Sequence, residues 1–299
     1  MLHVDLGVMA YNEEKNIMNL LQSVRDQKLE NATIDTITVV SSGSTDRTND
    51  IVKEFCKKDE RIRLLIQQKR EGKASAINAF LKEAKNDVVV IASADVILDE
   101  NALERLIFPI TAHERVGMTS VKLVPVDESN SFMGFVSNMH FRLHNLLNRH
   151  TTETAAFRKN LVRHIPDIAT DDAYVEAVVQ KSGHKAVYVD NAIVYNKGSE
   201  TISDFLKQVR RYCDGHLFVK NKLGYVVSSM SVAGMKSIVK ELVRYSIENP
   251  LKIHYVIGYF VLEIFGRMLG VWDYHLNREK HYVWDIAKTT KHLKKLRRE

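Results

Sequence analysis

An α/β fold, with strands covered by helices on both faces, is the class this chain predicts, and three observations predict it. A unit of short apolar strand, polar loop and amphipathic helix recurs three times before residue 85. Residues 88–92, Val-Val-Val-Ile-Ala, form an unbroken apolar run, as a strand buried on both faces requires. Short polar residues follow the ends of these strands, where open α/β sheets collect their ligands.

The elements follow in order. Residues 5–9 are a short apolar strand, Asn12 is a candidate helix cap, and Ile17, Leu20, Leu21 and Val24 then recur at helical spacing. Residues 37–40 are a second strand, 43–46 a capping turn, and Ile51, Val52 and Phe55 mark the next helix face. Residues 62–66 are a third strand, Gly72-Lys73 a loop, and Ala74, Ile77, Leu81 and Ala84 a buried stripe. The fourth strand, 88–92, ends at Ser93-Ala94-Asp95. Asp95, Asn12 and residues 41–46 are therefore expected to line one crevice. Residues 131–148 carry an amphipathic pattern read as a core-packing helix, followed by a strand at 155–158, a helix at 171–181, a strand at 186–189 and a long helix at 201–220. A boundary is expected near residue 222, giving a domain over 1–222 and a helical, basic extension over 223–299.

Composition narrows the class. At 299 residues, 45% of them hydrophobic, the chain is long enough for a large packed core. Its two cysteines, Cys56 and Cys213, are far apart, which disfavours a disulfide framework or a structural zinc site and fits a reducing compartment. The histidines are scattered without zinc-binding spacing. The start lacks a signal-peptide pattern, so the first strand is expected to begin the chain. A net charge of +6 suits an anionic partner: nucleic acid, an acidic membrane surface or a nucleotide diphosphate. Lys288, Lys291, Lys294, Lys295, Arg297 and Arg298 concentrate in the tail, where anionic lipid headgroups and plain solvation are both open readings.

Within the extension, a helix around 232–247 breaks at Pro250, and residues 253–272 form a stretch long enough to span a bilayer. Glu263 and Arg267 near its middle would each cost about 2.5 to 3.5 kcal/mol on insertion, although their i, i+4 spacing allows pairing. Tyr259, Glu263, Arg267, Gly270 and Tyr274 share one side, and Ile257, Val261, Ile264, Met268 and Trp272 another. An interfacial helix is the better reading, ahead of core packing or spanning.

Four stretches in this order resemble the inverting glycosyltransferases of family 2: Ala10-Tyr11-Asn12-Glu13-Glu14; residues 41–48, Ser-Ser-Gly-Ser-Thr-Asp-Arg-Thr; Gly72-Lys73-Ala74 leading to Ser93-Ala94-Asp95; and Thr170-Asp171-Asp172 with Gln208-Val209-Arg210-Arg211-Tyr212. The resemblance covers residues 4–215 and implies a GT-A fold, a Rossmann-like mixed sheet with flanking helices. It implies that Ala10, Tyr11, Asn12, Glu13 and Ser42 border the nucleotide, although Ser41 and Ser42 stand where relatives carry acids. Lys73 matches a cationic position near the diphosphate, or else a solvated helix start. Ser93, Ala94 and Asp95 occupy the place of an Asp-x-Asp motif reduced to its last acid. Asp95 is the expected ligand for Mg2+ or Mn2+, completed by substrate phosphates and water.

The resemblance also makes Asp172 the general base and Asp171 its supporting acid. A hydroxyl attacking an anomeric carbon loses its proton as the bond forms, so an ionised carboxylate must face it. Gln208, Arg211 and Tyr212 match a Gln-x-x-Arg-Trp motif with tyrosine for tryptophan, suited to clamp the diphosphate and line the acceptor junction. Arg210 is ambiguous, and Arg158 is a weaker acceptor or phosphate contact. The expected activity is inverting transfer from a nucleotide-diphosphate sugar, a UDP-sugar first, to a hydroxyl of a glycan or lipid-linked (polyprenol) acceptor. The expected location is cytoplasmic, peripheral at the cytoplasmic face of the cell membrane, without a nucleic-acid partner. A nucleotide-binding scaffold subunit and a nucleotidyltransferase are the alternatives; the latter explains Gly43 and Lys73 but leaves residues 208–212 without a role.

Overall fold

The computed structural model describes residues 1–126, 130–277 and 289. The basic residues from Lys288 to Arg298 singled out above lie outside the described residues. The chain begins as alternating strands and helices: β1 (Leu2–Ala10), α1 (Ile17–Arg25), β2 (Ala32–Ser42), α2 (Thr48–Cys56), β3 (Ile62–Gln67), α3 (Lys73–Glu83) and β4 (Val88–Ser93). There follow β5 (Ile97–Leu98), α4 (Ala102–Ala112), β6 (Val116–Pro125), α5 (Phe132–Leu146), β7 (Thr154–Arg158), α6 (Asp171–Lys181), β8 (Lys185–Asn196) and α7 (Ile202–Leu223). Two further helices, α8 (Val232–Glu248) and α9 (Ile253–Trp272), complete the order.

The strands form one mixed sheet in the order β3-β2-β1-β4-β7-β6-β8-β5. β1 to β4 are parallel, β7 is antiparallel to both neighbours, and β6 and β8 are parallel again. All six residues of β4 are buried, as its unbroken apolar run requires. Helices α1, α2 and α4 cover one face of the sheet, and α3 and α6 pack into the apolar layer on the other. Packing there is close: a Cβ on Gly7 of β1 would lie 2.5 Å from the buried Phe80 ring of α3.

A third apolar cluster joins α5, α7, α8 and α9. Helix α7 stops at Gly224, which takes the left-handed conformation (φ 65°) that favours glycine at a helix end. α9 then lies back along α7, where small residues allow close approach. A Cβ on Gly266 would meet Val209 at 2.5 Å, and one on Gly270 would meet the Arg210 carbonyl at 2.6 Å. Buried Asp273 takes the guanidinium of Arg210 from α7, so that arginine serves the helix contact.

Several elements differ from the sequence reading. Residues 96–130, where the sequence pattern marks no element, hold β5, α4 and β6. Asn12 caps no helix: α1 starts after Asn16, and Asn12 takes a positive φ of 51°. Its Oδ1 instead accepts from the Thr45 amide at 2.8 Å, and its own amide donates to Ser44 Oγ at 3.1 Å. Glu13 beside it is buried, accepting from Asn16 Nδ2 at 2.9 Å.

Candidate active site

The order β2-β1-β4 brings three parallel carboxyl ends side by side, and with them the loops expected to share a crevice. Ala10 is buried at the end of β1, and the Ala94 amide donates back to Met9, tying the turn after β4 to that end. Tyr11 carries the Arg70 guanidinium over its ring, 4.3 Å from the centroid. Gly43, at φ 69°, lets the turn pass against the Lys69–Arg70 backbone, where a Cβ would sit 2.5 Å from the Arg70 nitrogen. Ser42 is buried and its Oγ accepts from the Glu71 amide at 3.0 Å, which fixes the loop leading to Lys73.

Beside this crevice a cavity of about 150 Å³ gathers Lys73, Asp171, Asp172, Gln208, Arg211 and Tyr212. Residues almost 140 positions apart in sequence thus line one space. Thr170 and α7 meet because residue 215 is glycine: a Cβ there would strike Thr170 Oγ1 at 2.4 Å. Asp171 is 3% exposed and accepts from Thr152 Oγ1 at 2.5 Å. Lys73 Nζ lies 3.9 Å from Asp171 and 3.8 Å from Glu153, and donates to the Thr152 carbonyl at 3.1 Å. With its side chain only 14% exposed, Lys73 is not a solvated helix start.

Asp172 is half-buried at the first turn of α6, where its Oδ1 accepts from the Ala173 amide at 2.8 Å. Burial, and then the neighbouring Asp171 carboxylate, push it up from 3.8 to about 6. A carboxylate poised there is ionised at neutral pH yet basic enough to take a proton. Burial pulls the Arg211 guanidinium down to about 10, against the raising fields of Glu153, Asp172, Asp171 and Asp95, and it stays cationic at neutral pH. Asp95 is also felt at Lys73, so the end of β4 and the cavity share one electrostatic field.

Tyr212 is 9% exposed; its hydroxyl donates to Glu263 Oε1 at 2.5 Å, and its ring stacks on His140 at 5.9 Å between centroids. Arg267 Nε donates to the same Glu263 oxygen at 2.9 Å. The polar side of α9 therefore faces α7 and backs the cavity wall. The opposite side, with Ile257, Val261, Ile264, Met268 and Trp272, is exposed. Arg158 donates to the carbonyls of Val116 and Ile110, which is a sheet-bracing role.

Sequence reasoning passed over several cavity residues: Thr152, Glu153, Arg149, His140, His144 and Ser199. Glu153 left one signal, an acid directly before a strand of small and apolar residues. The others gave none, because their role depends on which strand neighbours which. Ser93 hydrogen-bonds the Glu153 side chain, so an acid from β7's approach stands at the end of β4, close to the turn that carries Asp95. Among the described residues no three His, Cys, Asp or Glu side chains gather as a metal cage. A cation at Asp95 would thus have that carboxylate plus phosphate and water oxygens, a donor set that suits Mg2+ or Mn2+.

Residues 5–169 match the family described as glycosyl transferase family 2. The glycosyltransferase GlyG of Streptococcus pneumoniae is 31% identical over 103 residues, 34% of this chain and 33% of that protein. The poly-beta-1,6-N-acetyl-D-glucosamine synthase of Staphylococcus epidermidis is 22% identical over 221 residues, 69% of this chain and 52% of that protein. The chain spans about half or less of the length of these relatives. Among solved structures, a mannosyltransferase of Pyrobaculum calidifontis in complex with GDP-Man and Mn2+ has a TM-score of 0.63 at 18% identity, covering 92% of this chain and 88% of that one. S. aureus TarS 1-349 in complex with UDP-GlcNAc has a TM-score of 0.53 at 16% identity, covering 91% of each. At these identities the solved structures speak for the fold, which is the GT-A arrangement of a mixed sheet with flanking helices.

Proposed function

The chain belongs to glycosyl transferase family 2 and is a glycosyltransferase, and from that premise we propose that it transfers a sugar with inversion from a UDP-sugar to a hydroxyl of a glycan or polyprenol-linked acceptor. The observation that carries the reading is that Asp172 and Arg211 line one cavity, a carboxylate pushed up to about 6 whose field reaches a half-buried guanidinium. In this reading Asp172 takes the proton of the acceptor hydroxyl as its oxygen attacks the anomeric carbon. The bond to the diphosphate breaks on the opposite face, and a single displacement inverts the centre. Asp171, held by Lys73 and Thr152, keeps Asp172 basic through its negative field. Arg211 and Gln208 hold the departing diphosphate, a charge that fixed donors in a buried site stabilise strongly. Tyr212 braces that wall through Glu263.

Ala10, Tyr11, Asn12, Glu13 and Ser42 border the nucleotide, with Ser93 and Ala94 shaping the turn beneath the phosphates. Asp95 would hold Mg2+ or Mn2+, which supplies positive charge to the diphosphate when bound.

The extension after residue 222 is read as the membrane-facing part. α8 and α9 expose large apolar side chains, among them Val239, Ile247, Ile257 and Trp272, over an area that solvent alone disfavours. Twenty residues of α9 measure about 30 Å, long enough to span. Its Glu263, Arg267 and Tyr259 are engaged by α7, however, which supports a helix lying on the cytoplasmic surface with its outer side in lipid. A lipid-linked acceptor would be met there.

The test is a thermal-shift and product-release screen of UDP- and GDP-sugars with Mg2+ and Mn2+. Stabilisation by one donor, and loss of its turnover in Asp172→Asn, is the expected result. A protein that neither binds nor hydrolyses any nucleotide sugar removes the reading.

A further inference from the structure

Four cationic side chains line the cavity, and three of them are matched from within the chain. Lys73 has Asp171 and Glu153 at 3.9 and 3.8 Å. Lys197 has Glu200 at 2.6 Å. Arg211 lies in the combined field of Glu153, Asp172 and Asp171. Arg149, half-buried in the loop between α5 and β7, also lies in the field of Asp172 but makes no ion pair with a described carboxylate. Among the described residues its guanidinium meets the Tyr212 ring, 5.6 Å from the centroid, and no carboxylate within 4.0 Å.

Besides Thr170 Oγ1, two further polar groups on the same cavity want partners. Ser199 Oγ and His144 Nδ1 are buried with no hydrogen-bond partner among the described residues, and their residues are 3% and 9% exposed. A buried group of this kind points to a ligand or water that the cavity receives. Burial holds the nearby His140 imidazole down to about 4 and His144 well below its usual value. Both rings are neutral at pH 7, so they exchange hydrogen bonds with hydroxyls without adding charge. Arg149 is left as the cation that seeks an anion.

Arg149 shares the cavity with Gln208 and Arg211, so an anion it binds would sit beside the diphosphate they hold, away from the loops that border the nucleotide base. It shares its wall with α5, residues 197–199 and Tyr212, whereas Asn12, Ser42 and Asp95 do not line this cavity. About 150 Å³ corresponds to about five waters at roughly 30 Å³ each, or the ring of one small molecule.

We infer that the acceptor bears a phosphate or carboxylate group which Arg149 binds, with Ser199 and His144 hydrogen-bonding the oxygens beside it. The inference rests on the glycosyl-transfer reading for the word acceptor, but the anion site is measurable without turnover. Calorimetric titration of the UDP-saturated protein with glucose, glucose 6-phosphate and glucuronate tests it. Wild type is expected to bind the two charged probes about 10- to 100-fold more tightly than glucose, as a charge-assisted hydrogen bond implies. Arg149→Gln abolishes that preference, Arg149→Lys retains part of it, and both bind UDP as wild type does. The relative strength of the phosphate and carboxylate arms identifies which anion the site takes. Equal binding of charged and neutral probes by wild type overturns the proposal, as does a preference that survives Arg149→Gln. A loss of UDP affinity in Arg149→Gln with the probe preference intact would place Arg149 on the diphosphate and equally overturn it. Absence of turnover with every donor, by contrast, defeats the glycosyl-transfer reading while the probe preference stands.

Discussion

Replacing Asp172 with asparagine removes a charge that the fold disfavours, so the variant is expected to gain stability as it loses activity. Burial first, and Asp171 second, raise Asp172 from 3.8 to about 6. At 1.36 kcal/mol per pH unit that gap corresponds to about 3 kcal/mol. Because the folded-state value is the raised one, the native state favours the protonated acid. The stabilisation is complete below 3.8, fades as pH rises, and is gone above about 6. An amide has no such dependence and its oxygen can keep the hydrogen bond from the Ala173 amide. At pH 8 Asp172→Asn should therefore be more stable by up to about 3 kcal/mol, or about 6 °C at roughly 2 °C per kcal/mol for a chain this long. Near pH 4 the two proteins should melt together. Transfer should fall about 10²- to 10⁴-fold, the usual cost of losing a general base. Melting curves at the two pH values, read beside a donor-turnover assay, check both halves. A variant that melts at or below wild type at pH 8, or with the same offset at pH 4, refutes the argument about the environment of Asp172. Undiminished transfer refutes its role as base.

Other outcomes follow from the same contacts. Wild-type turnover should climb with pH and level off above about 6, as Asp172 ionises; a profile flat from pH 5 to 8 contradicts this. Lys73→Met leaves Asp171 and Glu153 without their shared cation, and should cost about 3 to 5 kcal/mol in chemical denaturation at pH 7. The same change should move the pH midpoint of turnover upward, because the lysine's field lowers Asp172. Gly270→Val drives a side chain into the Arg210 carbonyl and Cys213, so α9 should separate from α7, seen as faster amide exchange in both helices. Changing Ile257, Val261 and Met268 together to glutamate alters exposed positions, with each substitution shifting stability by no more than about 0.5 kcal/mol. Co-sedimentation with anionic vesicles should nevertheless be lost if this face rests on a membrane.

Much of the fold was legible because its signals are local. The apolar run at 88–92, the helical stripes of α1 and α3, and the bounds of α6 and α9 each follow from side chains near one another in sequence. The two sides of α9 were also legible: the residues grouped as polar turn to α7, and those grouped as apolar are exposed. Asn12 misled for the opposite reason. Its cap-forming chemistry is real, but the partner it serves lies 33 residues away at Thr45.

Sequence by itself determined the class of fold, its family and the two runs around Asp172 and Arg211, because motif order and periodicity survive without coordinates. Tertiary structure decided what surrounds them. It turned Lys73 toward the acids, set Glu153 against Ser93, spent Arg210 on the helix contact, and laid Arg149 over the Tyr212 ring at the cavity. Electrostatic pairing depends on distances of a few ångströms across chain separations of many tens of residues. Those distances exist only once α7 has closed over Thr170 at Gly215 and β7 has taken its place between β4 and β6.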